Sequence, residues 1–160
     1  MTANNLFSQI NTIILDLQAA TLQTYAQLLV KLVRLLNHED LANINEDLET
    51  NLDLEKFLTE SANTGSSFVG TKTLLWPEDT KAELGMKLLF IKFLAEDPNQ
   101  TQGLIQTYYY SDNKVINSIH TMIRQLFIPF IRDYQSYVQS RGDITPKLIL
   151  PKSRKIFIVY

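Results

Sequence analysis

The sequence predicts an all-α fold: an irregular bundle of about five helices with a C-terminal linker and a short apolar, strand-like end. Three observations predict it. Apolar residues recur at three- and four-residue intervals through nearly every long apolar stretch, helix-start signals punctuate those stretches, and 5 Gly and 5 Pro in 160 residues leave few breakers. A chain of this length buries one core without metal or disulfide staples. Its 45% hydrophobic and 20% charged residues are those of a globular chain.

From Leu6, the residues Leu6, Ile10, Ile13, Leu17, Tyr25, Leu28, Leu32 and Leu35 read as one long amphipathic helix ending near Asn37, with a gap at Ala20 and Thr21. Leu41, Ile44, Leu48 and Leu52 repeat the spacing, with Glu39, Asp40, Glu46 and Glu49 on the other faces. Leu54, Phe57 and Leu58 continue it after a break. The acidic faces read as solvated surface.

Residues 61–73 hold Gly65, Ser66, Ser67 and Gly70 without a period and read as a loop. Their order does not match a phosphate-binding P-loop. Trp76-Pro77-Glu78-Asp79 places Pro in a first turn ahead of two acids, so a helix is expected to start there. That helix is apolar on nearly all sides from Leu84 to Leu94 and belongs at the centre of the bundle, with Gly85 allowing a close helix contact. Trp76 reads as a core plug.

Asp97-Pro98-Asn99-Gln100 is a second start signal, with Asp as the cap and Gln three residues on. The helix it opens ends in Tyr108, Tyr109 and Tyr110. Three successive helical side chains point about 100° apart, so at least one must reach a surface or interface. Ser111 and Asp112 precede the most regular helix, Val115 to Val138, with Gly142 as its stop. Pro129 falls inside that helix and predicts a kink between Arg124 and Pro129.

The pattern changes after Gly142. The helical domain is assigned to 1–142, a basic linker to 143–154 and the first strand of a following α/β domain to 155–160. Lys147, Lys152, Arg154 and Lys155 surround two prolines and a short apolar patch at 148–150. Ile156, Phe157, Ile158, Val159 and Tyr160 form a run suited to a strand buried on both faces. Leaving those five side chains in water forfeits about 7 to 15 kcal/mol, so the run must dock. It is also an edge through which copies of the chain would self-associate.

Composition excludes several function classes. A formal net charge of −2 gives no general attraction for phosphate backbones, so nucleic acid is not an expected partner. Zero Cys excludes disulfides, thiolate metal sites and thiol catalysis and fits the cytoplasm. The first residues lack a signal peptide's basic region, and polar residues interrupt every apolar stretch, so no membrane association is expected. The two histidines, His38 and His120, are too few for a multi-histidine metal site. Asp16, between Leu15 and Leu17, is expected to pair with an Arg across the bundle, with Arg132-Asp133 as the region concerned. No catalytic residue, cofactor or metal ligand is assigned. The candidate interface is Tyr108, Tyr109, Tyr110, Ile156, Phe157, Ile158 and Tyr160.

Ser153-Arg154-Lys155-Ile156-Phe157-Ile158-Val159-Tyr160 resembles the opening strand of bacterial TIR-like nucleotide-binding domains. The helical block from Trp76-Pro77-Glu78-Asp79 to Pro129-Phe130-Ile131-Arg132-Asp133-Tyr134 is similar to helical regions ahead of such domains in bacterial defence proteins. The resemblance implies a non-catalytic sensing, regulatory or oligomerising module fused to a nucleotide-binding or NAD-cleaving effector, whose loop and catalytic acid would lie beyond Tyr160. Two alternatives stand beside it. One is a helical ribonuclease or toxin of the HEPN type, in which Arg precedes His on one helix as Arg34 precedes His38, though more closely here. The other is a self-contained antitoxin or immunity-like binding protein.

Overall fold

Thr21 divides the stretch whose periodicity reads as a single helix. In the computed structural model, which describes residues 3–65 and 71–142, α1 runs Ala3–Gln18 and α2 Leu22–Leu36. Thr21 has an extended backbone; its N–H donates to Thr24 Oγ1 at 2.9 Å, and the Thr24 N–H donates back to Thr21 Oγ1 at 3.3 Å. This reciprocal cap satisfies donors that a helix start otherwise leaves bare. It also resets the phase. The buried leucines of α2 are Leu29, Leu32 and Leu36 in place of the expected Leu28 and Leu35, and α1 buries Ile14 in place of Ile13. The doubled apolar pairs Ile13-Ile14, Leu28-Leu29 and Leu35-Leu36 fit either register, so the pattern alone could not choose between them.

Beyond α2, His38 Nδ1 accepts the Asp40 N–H at 3.1 Å and opens a 3₁₀ turn, Glu39–Leu41, that leads into α3, Ala42–Glu49. The break expected in this region is built by Asn51, whose φ of 65° is left-handed and tolerated by Asn. Asp53 then accepts the Lys56 N–H at 3.0 Å and caps α4, Leu54–Ala62.

The next helix, α5 (Thr80–Glu96), starts three residues later than Pro77. Asp79 is its cap, accepting the Ala82 N–H at 2.9 Å, so Trp76 and Pro77 belong to the preceding non-helical segment. That segment is pinned to the end of α4: Ser61 Oγ accepts the Leu75 N–H at 3.0 Å and Thr64 Oγ1 accepts the Thr73 N–H at 2.7 Å. Trp76 is half-buried, stacked on Phe57 with ring centroids 4.8 Å apart and edge-on to Phe90 at 5.7 Å. Lys87 Nζ lies 5.7 Å from the Trp76 centroid.

As the apolar character of its sequence predicts, α5 is central, touching α2, α3 and α4. Its core residues include Leu88, Ile91 and Leu94, each 0% exposed, worth roughly 1.5 to 3 kcal/mol apiece on burial. Gly85 meets the Leu48 carbonyl of α3 so closely that a Cβ would overlap it and come within 2.8 Å of Leu52 Cδ1.

Asp97 Oδ1 accepts the Gln100 N–H at 3.1 Å, the expected capping bond, but residues 97–101 form a turn and α6 spans Gln102–Tyr108. Next come α7, Val115–Met122, a π turn, Ile123–Phe127, and α8, Ile128–Gly142. The disturbance expected between Arg124 and Pro129 takes the form of this π turn, in which the Ile128 N–H donates to the Ile123 carbonyl five residues back. Pro129 has no N–H and its ring crowds the carbonyl four residues before it, and widening the helix accommodates both effects.

The fold is all-α, with no strand among the described residues. Among the described residues the expected count of about five helices becomes eight α-helical segments: Thr21 divides a run expected to be single, and the anticipated breaks before Leu54 and ahead of Pro129 separate the others. The described residues divide into two compact units between Phe130 and Ile131, with the border inside α8. In the second unit Ile131, Tyr134 and Val138 are buried, and Arg132 pairs with its neighbour Asp133 at 3.0 Å on the exposed side. Asp16, expected to need an Arg partner, is exposed and requires no buried counter-charge. The linker and strand-like run at 143–160 lie outside the described residues.

Candidate functional site

Three helices of the first unit border an open concavity. Two adjoining hollows of about 440 and 360 Å³ share Asn37 and Lys92. Ala42, Asn45, Glu46, Glu49 and Thr50 of the α3 region line the first; Val30 and Val33 of α2 with Ala95 and Glu96 of α5 line the second. Together they make one open groove crossing α2, α3 and α5.

The frame of this groove is fixed by identifiable contacts. Asn45 is 5% exposed, and its Nδ2 donates to the Leu36 carbonyl at 2.8 Å, satisfying an end of α2 and tying it to α3. Lys92 Nζ donates to Glu49 Oε2 at 2.7 Å and Lys81 Nζ to Asp47 Oδ1 at 3.2 Å, both joining α5 to α3. The seat of Gly85 against Leu48 lets those two helices come close enough for the pairs to form. Side chains on helices held this way are positioned more tightly than side chains on loops.

Chemically the groove offers apolar contact from Val30, Val33, Ala42 and Ala95, amide and hydroxyl groups from Asn37 and Thr50, and charge. Of its charged residues, Lys92 is matched by Glu49, while Glu46 and Glu96 are exposed, so the surface is acidic overall. Among the described residues no group of three His, Asp or Glu side chains is placed to hold a metal ion. No described helix is long and apolar enough to cross a membrane.

The tyrosines singled out from sequence straddle the end of α6, with Tyr108 its last helical residue and Tyr109 and Tyr110 beyond it, so they do not follow one another on a helix as expected. Tyr109 is buried, Tyr108 is half-buried, and Tyr110 is 39% exposed with its hydroxyl donating to Asn113 Oδ1 at 3.0 Å. Burial pushes the Tyr109 and Tyr108 phenols above their ordinary range. None of the three lines the groove. Ile156, Phe157, Ile158 and Tyr160 lie outside the described residues. Arg34 is exposed on α2, whereas His38 lies past the α2 cap at Asn37 and is engaged as the cap of the 3₁₀ turn, so the two do not share a helix. His120 is committed elsewhere, its Nε2 lying 2.8 Å from the Ala20 carbonyl oxygen.

Sequence reasoning missed Asn45, Glu46, Glu49 and Lys92 as a set. A signal was present: Lys92 is the one charge inside the apolar run Leu88–Leu94, and Glu46 and Glu49 stand three residues apart on a short helix.

No family model matches the chain, and no solved structure matches it. The chain is similar to "Uncharacterized protein YuaY" of Escherichia coli (strain K12), with 41% identity over 158 residues, 99% of this chain and 52% of the relative. It thus spans about half the length of that relative.

Proposed function

We propose that the chain is a non-catalytic helical module of regulatory or oligomerising type, which docks a polypeptide in the groove between α2, α3 and α5. The observation that carries this reading is the groove itself: an apolar floor with exposed carboxylates beside it, on helices braced by Asn45, Lys92 and Gly85. Such a surface suits recognition by side-chain packing and charge, the means by which helical grooves take up peptide segments. It presents no nucleophile beside a general base.

The test is a peptide array of graded charge and hydropathy, probed with the purified chain and with its Val30→Glu variant. Val30 is 37% exposed, so the change puts a charge in the groove without entering the core. The expected result is a set of retained peptides that the variant loses, with neither RNA nor NAD cleaved when offered as substrate. Cleavage abolished by His38→Ala would replace this reading with the ribonuclease alternative. Retention of the same peptides by Val30→Glu would remove the groove from it.

Within a longer protein, such a module would govern an effector of the TIR-like kind. The support for this part of the proposal is the resemblance of residues 153–160. Incubating the full-length E. coli relative with NAD tests it: cleavage is expected, and an intact cofactor argues for another effector chemistry.

A further inference from the structure

The charges of this chain are unevenly distributed along it. Through Phe130 there are nine Lys and Arg against fifteen Asp and Glu, whereas from Ile131 onward there are six against two. The excess of cations is concentrated in Lys147, Lys152, Arg154 and Lys155, interleaved with the apolar residues of 148–150 and 156–160. The groove has the complementary character: apolar contact from Val30, Val33 and Ala95, with the exposed carboxylates of Glu46 and Glu96 beside it and its lysine already engaged by Glu49.

We propose that the groove receives the basic segment 146–154 of a second copy of the chain, so that two copies pair by exchanging these segments. The inference rests on the reading of the groove as a docking surface and names its occupant. Complementary charge selects a basic segment over an acidic or neutral one and suppresses wrong pairings. Because each copy carries one groove and one segment, reciprocal exchange makes the same contact twice and closes the assembly as a two-fold dimer. The occupant's apolar side chains, which cannot stay in water without cost, are covered by the same event.

Light scattering and sedimentation of the full chain over a range of concentration give the test. A dimer is expected whose dissociation constant rises with salt, because going from 0.1 to 1 M shortens the screening length from about 10 to about 3 Å. Glu46→Lys with Glu96→Lys, both at exposed positions, should weaken dimerisation about tenfold or more, and so should Lys147→Glu, Lys152→Glu and Arg154→Glu together, as expected for charges facing across an interface. Combining the two sets should restore association to within about threefold of the original, with circular dichroism showing every variant folded. A monomer at all concentrations overturns the proposal, as does a dimer indifferent to either set or unrestored by their combination. A synthetic peptide of residues 146–154, titrated onto the isotopically labelled chain, separates the two readings. If the chain is monomeric but the peptide shifts the amides of Val30, Val33 and Ala95, the groove remains a docking surface and only the second copy is excluded; if those amides do not respond, both readings fall.

Discussion

Lys92 Nζ lies 2.7 Å from Glu49 Oε2, joining α5 to α3 between residues 43 positions apart in the chain. The two side chains are 22% and 23% exposed. That is well short of full solvation, so the pair should couple by about 1 kcal/mol, the upper part of the range for accessible ion pairs. A double-mutant cycle of Glu49→Gln and Lys92→Met under urea denaturation measures it. A coupling near zero would mean that apolar contacts alone hold this seam.

The fit of Gly85 against Leu48 predicts a large penalty for the smallest side chain. Gly85→Ala ought to gain about 1 kcal/mol from helix propensity. Instead the new methyl would meet a backbone carbonyl that cannot rotate away, and overpacking of this kind costs about 1 to 3 kcal/mol or more. Net destabilisation by urea midpoint, together with loss of the Lys92–Glu49 coupling, is the expected outcome.

Tyr25 is 0% exposed, and its hydroxyl has no hydrogen-bond partner among the described residues. Desolvation pushes the phenol far above its ordinary range. Tyr25→Phe keeps the ring and removes an unsatisfied polar atom, so it should leave stability unchanged or raise it by about 1 kcal/mol. A loss of that size on thermal unfolding would reveal that the hydroxyl is engaged.

Asp112 Oδ1 accepts the Lys114 N–H at 2.7 Å and its Oδ2 accepts from Asn117 Nδ2 at 2.7 Å, organising the turn before α7. These bonds, the backbone one first, hold its carboxyl below the ordinary value of 3.8. A carboxylate with a lowered folded value stabilises the fold above 3.8 and loses that contribution as pH falls through the lowered value. Asp112→Asn should therefore be less stable than the parent at neutral pH, with the difference closing below pH 3.8. Parallel urea melts across that range check it.

Those elements that local chemistry decides were legible in the sequence. The Asp97 cap, the close approach at Gly85, the disturbance ahead of Pro129 and the divided exposure of Tyr108, Tyr109 and Tyr110 each depend on a few adjacent residues. The break at Thr21 was less so, because a Thr at the third helical position does the work usually given to Glu or Gln in a capping box. With the doubled leucines permitting either register, nothing local fixed the phase of α2. The groove as a whole was not legible, and only Lys92 within its apolar run and the spacing of Glu46 and Glu49 hinted at it. Its lining comes from residues 30–37, 42–50 and 92–96, which share no motif, and only the packing of α5 against α2 and α3 brings them together.

The bond from His120 Nε2 to the Ala20 carbonyl closes the α1–α2 corner with a group that lies 100 residues downstream. The π turn, which packs on α1, comes later still. A ribosome adding about 5 to 20 residues per second would therefore finish this corner many seconds before its partners emerge. Throughout that interval α1 lacks the π turn that packs on it. Nascent chains halted before residue 120 should be the form most readily held by chaperones during synthesis, and release should follow once α7 and the π turn have left the exit tunnel.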